Sequence, residues 1–173
     1  MANFKEDLVR VKAFIFDIDG VLSQQTISLN VFGVPNRTVN VRDGYALQLA
    51  VKKGYQIGII SGCKSKEYQK RLNMLGIKDI YLNSRGKLEH FNMFLKKYNL
   101  NKSDVLYMGD DIPDFKVMKE AGIAVCPSDA DSEIKQVAAF ISDKKGGEGC
   151  VRDVIEQVLR LHNNWMDSDA FKW

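Results

Sequence analysis

The chain has 173 residues and a mass of 19.6 kDa, with 45% hydrophobic and 27% charged residues, which predicts one globular domain over residues 1–173. The net charge of +3 is too small and too scattered to indicate a nucleic-acid-binding surface. No stretch approaches the roughly 18 apolar residues of a membrane span, and the first residues lack the apolar core of a signal peptide, so we expect a cytoplasmic protein.

The three cysteines, Cys63, Cys126 and Cys150, are far apart and have no paired spacing. An odd number argues against a disulfide framework and favours a reducing compartment. A zinc site is not expected either, because neither of the two histidines neighbours a cysteine.

The first predicted elements in chain order are a strand, a hairpin and a helix. Residues 11–16 form a continuous apolar run, which predicts a buried strand. Residues 27–41 contain two extended runs about a turn at 33–36, which predicts a β-hairpin. Asp43 is then expected to cap the N-terminus of a helix that runs through Lys53.

The rest of the chain alternates short apolar segments with amphipathic ones. We predict further strands at 56–61, 79–82, 105–109, 123–126 and 138–142, and helices at 64–75, 88–98, 113–122 and 151–162. This alternation is typical of an α/β fold with a doubly wound parallel sheet. Ligands of such sheets bind beyond the carboxyl ends of the strands.

Acidic residues follow two of these strands, and a serine follows a third. The acids are Asp17, Asp19, Asp110, Asp111 and Asp114, and the serine is Ser61. One of these acids alone would be read as an ordinary cap of a helix or turn. Five carboxylates at one edge of a parallel sheet would repel one another unless a cation offset their charge. Oxygen ligands of this type suit Mg²⁺, so we predict a magnesium site there.

Four segments in order resemble the motifs of haloacid dehalogenase-superfamily phosphatases. They are FIFDIDGVLS at 14–23, IIS at 59–61, the lysine Lys87, and GDDIPD at 109–114. A D-x-D pair alone would be weak evidence, since metal-dependent glycosyltransferases also contain one. The ordered set covers residues 11–125 and implies a Rossmann-like haloacid dehalogenase core.

The resemblance assigns the chemistry to two aspartates. Asp17 would attack phosphorus and carry an aspartyl phosphate, because a carboxylate held in line is an adequate nucleophile. Asp19 would protonate the leaving alkoxide and then deprotonate water. Mg²⁺ would be held by Asp17, Asp110 and the backbone carbonyl of Asp19.

The same resemblance places other residues around the phosphoryl group. Ser61 and the Gly62 N–H would donate to phosphoryl oxygens, and Lys87 would neutralise their charge. A lysine in the first turn of a helix is unfavourable without an anion nearby, which favours this role for Lys87 over that of an ordinary surface lysine. Asp111 and Asp114 would orient Lys87 and metal-bound water.

Most members of this superfamily cover the active site with an inserted cap domain. The two possible insertion points, 21–55 and 63–86, are already filled by the predicted elements, so no cap domain is expected. The closest resemblance is to the capless phosphatases of 3-deoxy-D-manno-octulosonate 8-phosphate, an intermediate of lipopolysaccharide synthesis. It includes NVRDGYALQLA at 40–50, SGCKSKEYQKRLNMLGI at 61–77 and GGEGCVRD at 146–153. It implies a homotetramer with the hairpin flap at its centre.

The guanidinium group of arginine can donate two parallel hydrogen bonds to a carboxylate, so Arg42 and Arg71 are the predicted ligands of the sugar acid. For Arg71, an ordinary exposed helix position is an equally good interpretation. Cys63 and Glu148 stand where octulosonate phosphatases often have a basic residue. Phosphatases of nine-carbon keto-deoxy sugar phosphates can have Glu at both positions, so such a substrate is the alternative.

Two other functional classes are also compatible with the fold. One is an inactive oligomeric scaffold, which the presence of Asp17, Asp19, Lys87 and Asp110 argues against. The other is a phosphomutase or phosphotransferase, which generally needs a cap to exclude water.

Overall fold

The computed structural model describes residues 4–172 and contains one six-stranded sheet. The strands are β1 Ala13–Phe16, β2 Gln56–Ile60, β3 Asp79–Tyr81, β4 Val105–Met108, β5 Ile123–Cys126 and β6 Phe140–Ile141. Their order across the sheet is β3-β2-β1-β4-β5-β6, and every neighbouring pair is parallel. β1 is central because its four residues pair with β2 on one side and β4 on the other.

Helices cover both faces of this sheet. They are α1 Phe4–Asp7, α2 Val41–Lys52, α3 Lys66–Met74, α4 Lys87–Tyr98, α5 Phe115–Glu120, α6 Ser132–Val137 and α7 Cys150–Leu161, with short 3₁₀ turns at Leu8–Arg10, Lys102–Asp104 and Ile112–Asp114. Alternate residues of β1 face opposite sides: Phe14 and Phe16 pack with α2, α3 and α7, whereas Ala13 and Ile15 pack with α4, α5 and α6. The predicted doubly wound parallel sheet is therefore confirmed.

The two insertion points for a cap domain contain only elements of this core. Residues 21–55 form a loop and α2, and residues 63–86 form α3, β3 and short connections. The prediction that the fold has no cap domain is confirmed for the described residues. None of the helices within residues 4–172 combines the length and apolarity needed to cross a bilayer.

The segment 27–41 differs from the predicted hairpin. It contains a shorter antiparallel pairing than predicted, with one bridge between Leu29 and Pro35 and flanking backbone hydrogen bonds from Asn30 N–H to Val34 and from Asn36 N–H to Ser28, but no residue in a regular strand. The turn lies earlier than predicted, since the N–H of Gly33 donates to the carbonyl of Asn30 at 2.9 Å. A two-stranded hairpin without a neighbouring strand is marginally stable, which accounts for the loop. We call residues 27–41 the flap loop.

The start of α2 also differs from the prediction. Asn40 is the N-cap: its side-chain oxygen accepts from the N–H groups of Arg42 at 2.9 Å and Asp43 at 3.2 Å. Asp43 instead lies inside the first turn and is 1% exposed. The prediction of Asp43 as the cap was wrong because both residues suit a cap chemically, and Asn40 has the extended backbone that an N-cap requires.

Candidate active site

The carboxyl ends of β1, β2 and β4 bring the predicted acids together. Asp17 directly follows β1, Ser61 directly follows β2, and Asp110 lies two residues beyond β4. Asp114 reaches the same place from the 3₁₀ turn that begins at Ile112. The side chains of Asp17, Asp110 and Asp114 are buried, and their oxygens lie within 4.8 Å of one another.

Lys87 joins this acid cluster from the first residue of α4. Its ammonium group donates to Oδ2 of Asp17 and, at 2.8 Å, to Oδ1 of Asp114. The hydroxyl of Tyr107 also donates to Oδ1 of Asp114 at 2.5 Å. Burial alone would lower the pKa of Lys87, but the two carboxylates outweigh it and raise that pKa, so the lysine stays charged.

Burial and mutual repulsion shift the acids of the cluster. The pKa of Asp17 rises to about 6, chiefly through burial and then through the charge of Asp114, although Lys87 and a hydrogen bond from Ser61 oppose the rise. The pKa of Asp110 rises to about 7 through burial and through Asp17 and Asp114. A site that disfavours its own negative charge in this way is suited to a divalent cation held by oxygen ligands.

The side chain of Asp19 lies apart from the acid cluster. Both of its oxygens accept from Arg37 of the flap loop, Oδ1 from Nε at 2.7 Å and Oδ2 from Nη2 at 2.8 Å. The Asp19 carboxylate is therefore not part of the acid cluster, which consists of Asp17, Asp110 and Asp114. Its predicted role as a metal ligand concerned the backbone carbonyl and remains a prediction.

Close backbone packing joins the first motif to the last. Gly20 has φ +81°, and a Cβ atom there would lie 1.8 Å from Oδ2 of Asp110. Only glycine permits both this conformation and this approach. Gln25 also contacts Asp110, because its Nε2 donates to the same Oδ2 at 3.2 Å.

The remaining phosphate-site residues lie around the same cleft. Ser61 is buried, Gly62 is exposed, and both line the cleft together with Lys87. α3 begins only at Lys66, with Ser65 as its N-cap, so Ser61 and Gly62 belong to the preceding loop and not to the helix N-terminus itself. Asp111 is exposed, and its carboxylate accepts from the N–H of Ile112 at 2.8 Å.

The cleft above the acids has a volume of about 960 Å³ and is rich in cations that the sequence did not reveal as site residues. Arg37, Lys64 and Arg85 line it in addition to Lys87. Arg85 immediately precedes the Gly86-Lys87 segment, and this proximity to Lys87 was the available sequence signal. Arg37 had no comparable signal, because its position depends on how the flap loop folds back.

The two arginines predicted to bind the sugar acid lie elsewhere in the described part of the chain. Arg42 is exposed on the first turn of α2, in a separate cleft that it shares with Arg152 and Arg160. Arg71 lines a cavity of about 20 Å³ beside Asp43. Neither lines the cleft over Asp17 in one protomer, so their role as substrate ligands stays a prediction that requires a neighbouring subunit.

Comparison with known proteins agrees with this geometry. Residues 79–155 match a family model described as haloacid dehalogenase-like hydrolase. The 3-deoxy-D-manno-octulosonate 8-phosphate phosphatase of Salmonella typhi is 34% identical over 149 residues, which are 86% of this chain and 79% of that protein. The corresponding phosphatase of Yersinia pestis is 32% identical over 86% of this chain and 80% of that protein.

Solved structures give the same result. The crystal structure of the phosphatase from Moraxella catarrhalis, in complex with a magnesium ion, a phosphate ion and a KDO molecule, has a TM-score of 0.89 and 33% identity, covering 95% of this chain and 94% of that one. The Yersinia pestis crystal structure has a TM-score of 0.89 and 30% identity over 93% of this chain and 87% of that one. This chain thus belongs to the 3-deoxy-D-manno-octulosonate 8-phosphate phosphatase family of haloacid dehalogenase-like hydrolases.

Proposed function

We propose that this protein is a Mg²⁺-dependent phosphatase that hydrolyses 3-deoxy-D-manno-octulosonate 8-phosphate to the free sugar acid and phosphate. The observation that carries the proposal is the contact of Lys87 with both Asp17 and Asp114 beside the buried carboxylate of Asp110. The named activity of the relatives, at 34% identity over most of the chain, supplies the substrate.

The reaction proceeds in two steps that use the same two aspartates. A carboxylate oxygen of Asp17 attacks phosphorus, the bond between phosphorus and the sugar oxygen breaks, and the leaving alkoxide takes a proton from Asp19. A water molecule then loses a proton to Asp19 and attacks the phosphorus of the aspartyl phosphate. The bond between phosphorus and Asp17 breaks, which releases phosphate and restores both aspartates.

The donor set of the site fits a magnesium ion. Asp17 and Asp110 would hold it, as predicted from the motifs, and Asp114 is the third carboxylate within reach. When bound, the ion supplies positive charge that offsets both the acid cluster and the phosphoryl oxygens. The raised pKa values of Asp17 and Asp110 support this assignment, because a bound cation favours the charged form of each carboxylate.

The phosphoryl oxygens are bound by Ser61, the Gly62 N–H and Lys87 in this proposal. Lys87 is 8% exposed and charged, so it lends its charge with little screening by water. Asp114 orients Lys87 through the 2.8 Å contact. Asp111 would act on metal-bound water, for which its exposed position at the cleft leaves it accessible.

The carboxylate of the sugar acid is bound by basic side chains that line the cleft. Arg37, Lys64 and Arg85 line it and can approach a carboxylate, and an arginine does so with two parallel donors. Arg42 and Arg71 would contribute only from a neighbouring subunit, since both lie outside the cleft of their own protomer.

A homotetramer and a cytoplasmic location belong to the same proposal. The flap loop exposes apolar side chains, among them Val31 at 93% and Phe32 at 86%, which a neighbouring subunit could cover. The three free cysteines suit a reducing compartment. Production of the free octulosonate would place the protein in lipopolysaccharide precursor synthesis.

The test is a phosphate-release assay with two sugar phosphates and one variant. Wild-type protein with Mg²⁺ should hydrolyse 3-deoxy-D-manno-octulosonate 8-phosphate with a higher kcat/KM than a nine-carbon keto-deoxy sugar 9-phosphate. Asp17→Asn should fold normally and lose at least about a thousandfold in rate, the scale expected for removal of a nucleophile. Asp143→Asn, an exposed acid paired with Lys144, is the matched control and should keep the full rate.

Two results would overturn the proposal. Preference for the nine-carbon substrate would mean that Glu148 was the better guide to specificity. Absence of phosphate release from every sugar phosphate tested would favour the inactive scaffold.

A further inference from the structure

A buried carboxylate outside the active-site cleft has an unusual hydrogen-bond pattern. Asp43 of α2 is 1% exposed, and its Oδ1 accepts from the N–H of Arg152 at 2.7 Å. Within residues 4–172 its other oxygen, Oδ2, has no hydrogen-bond partner. A buried carboxylate oxygen without a partner is unfavourable, so the contact made by Oδ1 has to offset this cost.

The acceptor Oδ1 completes the N-terminus of another helix. α7 begins after Gly149, which has φ +107° and no side chain to cap the helix. The first N–H groups of a helix need acceptors, and here Asp43 supplies one from α2, which packs along α7. Asp43 of α2 therefore caps the N-terminus of a different helix, α7.

The capped end of α7 carries a glycine loop, residues 146–149, that lies directly on the first motif. The N–H of Gly147 donates to the carbonyl of Val21 at 2.8 Å. A Cβ atom on Gly146 would lie 2.0 Å from the carbonyl oxygen of Gly20, so the two backbones are in direct contact. The thiol of Cys150 also lies 3.3 Å from the carbonyl of Val21.

The contacted motif carries the proposed acid and base. Gly20 immediately follows Asp19, and its N–H donates to the carbonyl of Ser23 at 2.9 Å, which closes the turn in which Asp19 lies. A continuous series of contacts thus runs from Asp43 through the start of α7 and the glycine loop to Asp19. Displacement of the glycine loop would move the turn that holds Asp19, together with Gly20, which packs against Asp110.

We propose that Asp43 is a positioning residue of the phosphatase reaction, which fixes the glycine loop and through it the turn that aims Asp19. The inference rests on the proposed function, because it concerns the acid–base step of that reaction. Burial raises the pKa of Asp43 to about 6, so its charged form carries a penalty at neutral pH.

The test compares two substitutions of the same residue. Asp43→Ala removes the acceptor and should lower kcat by about ten- to a hundredfold with KM changed less than about threefold, since the alignment of Asp19 matters in the transition state and not in binding. Asp43→Asn keeps an acceptor oxygen and should restore most of kcat. Hydrogen exchange of segments 17–23 and 146–150 should accelerate in Asp43→Ala and stay slow in Asp43→Asn.

A matched control separates positioning from general loss of stability. Asp104 is also buried, at 6% exposure, and its Oδ2 accepts from the N–H of Asn101 at 2.9 Å, at the opposite edge of the sheet. Asp104→Ala should lower the melting temperature and leave kcat unchanged. Gly146→Ala, which pushes on Gly20 with Asp43 intact, should reproduce the loss of kcat even if Asp43→Ala fails to fold.

The proposal is overturned by wild-type kcat in Asp43→Ala or in Gly146→Ala, or by an equal loss of kcat in Asp104→Ala. It is also overturned if Asp43→Asn is as defective as Asp43→Ala, because the charge and not the acceptor would then matter. If the wild-type protein released no phosphate, the proposed function would fail, whereas hydrogen exchange would still test the contact series by itself.

Discussion

Arg37 holds both carboxylate oxygens of Asp19, at 2.7 and 2.8 Å, and so ties the flap loop to the proposed acid and base. Paired hydrogen bonds between charged groups of this kind fix direction as well as distance. The Arg37 side chain is 9% exposed and the Asp19 side chain 40%, so water screens the pair from the Asp19 side only. This pair holds Asp19 as a carboxylate, the form that takes a proton from water in the second step of the proposed reaction. In the first step Asp19 gives a proton, so one of its oxygens must then be released by Arg37.

Replacing Arg37 should reduce catalysis more than folding. Arg37→Ala leaves the Asp19 side chain unheld, and a hydrogen bond to a charged group contributes about 1.5–3 kcal/mol, so kcat/KM should fall about ten- to a hundredfold. Arg37→Lys keeps the charge with a single donor group and should give an intermediate value. Arg10→Ala, which breaks an exposed pair with Asp7, is the control and should be neutral. Unchanged kinetics in Arg37→Ala would contradict a role for the pair.

Magnesium should stabilise the folded protein through the acid cluster. At a Mg²⁺ concentration about 100 times its Kd the stabilisation is about 2.7 kcal/mol, or roughly 5–10 °C in melting temperature for a chain of this size. Asp110→Asn should lose most of this shift, whereas Asp143→Asn should keep it. Protons compete with the ion for Asp110 and Asp17, so the shift should shrink as the pH falls through 7 to 6. An equal shift in Asp110→Asn would place the ion elsewhere.

Asp43 should make the stability of the protein depend on pH. Its pKa is about 6 in the folded state and near the ordinary 3.8 when unfolded, so the folded state binds the proton more tightly. The contribution of this group to stability is fully present below pH 3.8 and is lost as the pH rises through 6. Asp43→Asn lacks this titration, so its melting temperature relative to wild type should increase between pH 4 and pH 7. A difference that does not vary with pH would show that the side chain titrates normally.

The tip of the flap loop should control assembly. Val31 and Phe32 are 93% and 86% exposed, and replacing both with Ser removes apolar surface that a neighbouring subunit would bury. We expect a tetramer for the wild type and smaller species for the double variant in sedimentation velocity. Met93→Ser, at a 51% exposed position on α4, is the control and should leave the assembly unchanged. A wild-type protein that is monomeric and fully active would contradict the proposed tetramer.

The sequence was sufficient to predict the sheet because its signals are local. Each strand was predicted from a short apolar run bounded by glycine or polar residues, a pattern that involves only neighbouring residues. The parallel topology then brings Asp17, Ser61 and Asp110 to one edge of the sheet. Lys87 was identified by the resemblance to the motifs of haloacid dehalogenase-superfamily phosphatases. These predictions needed no knowledge of how distant loops fold.

The features that were missed depend on contacts between distant segments. Asp43 was predicted to cap α2, but its carboxylate accepts from the N–H of Arg152 in α7, 109 residues later in the chain. The contact between Arg37 and Asp19 likewise depends on the fold of the flap loop. Composition and periodicity contain no information on such pairings, since both partners are chemically ordinary at their own positions.

The strand order also sets how much of the chain must be synthesised before the acid cluster at the end of β1 can form. β1 pairs with β4 as well as β2, and β4 begins only at Val105. At about 5–20 residues per second, a nascent chain holds β1 with one edge unpaired for several seconds. Asp110 is synthesised only after β4, so a nascent chain that ends before β4 lacks this partner of Asp17. Such a chain exposes the unpaired edge of β1 and is prone to aggregation, so we expect chaperones to bind it during synthesis.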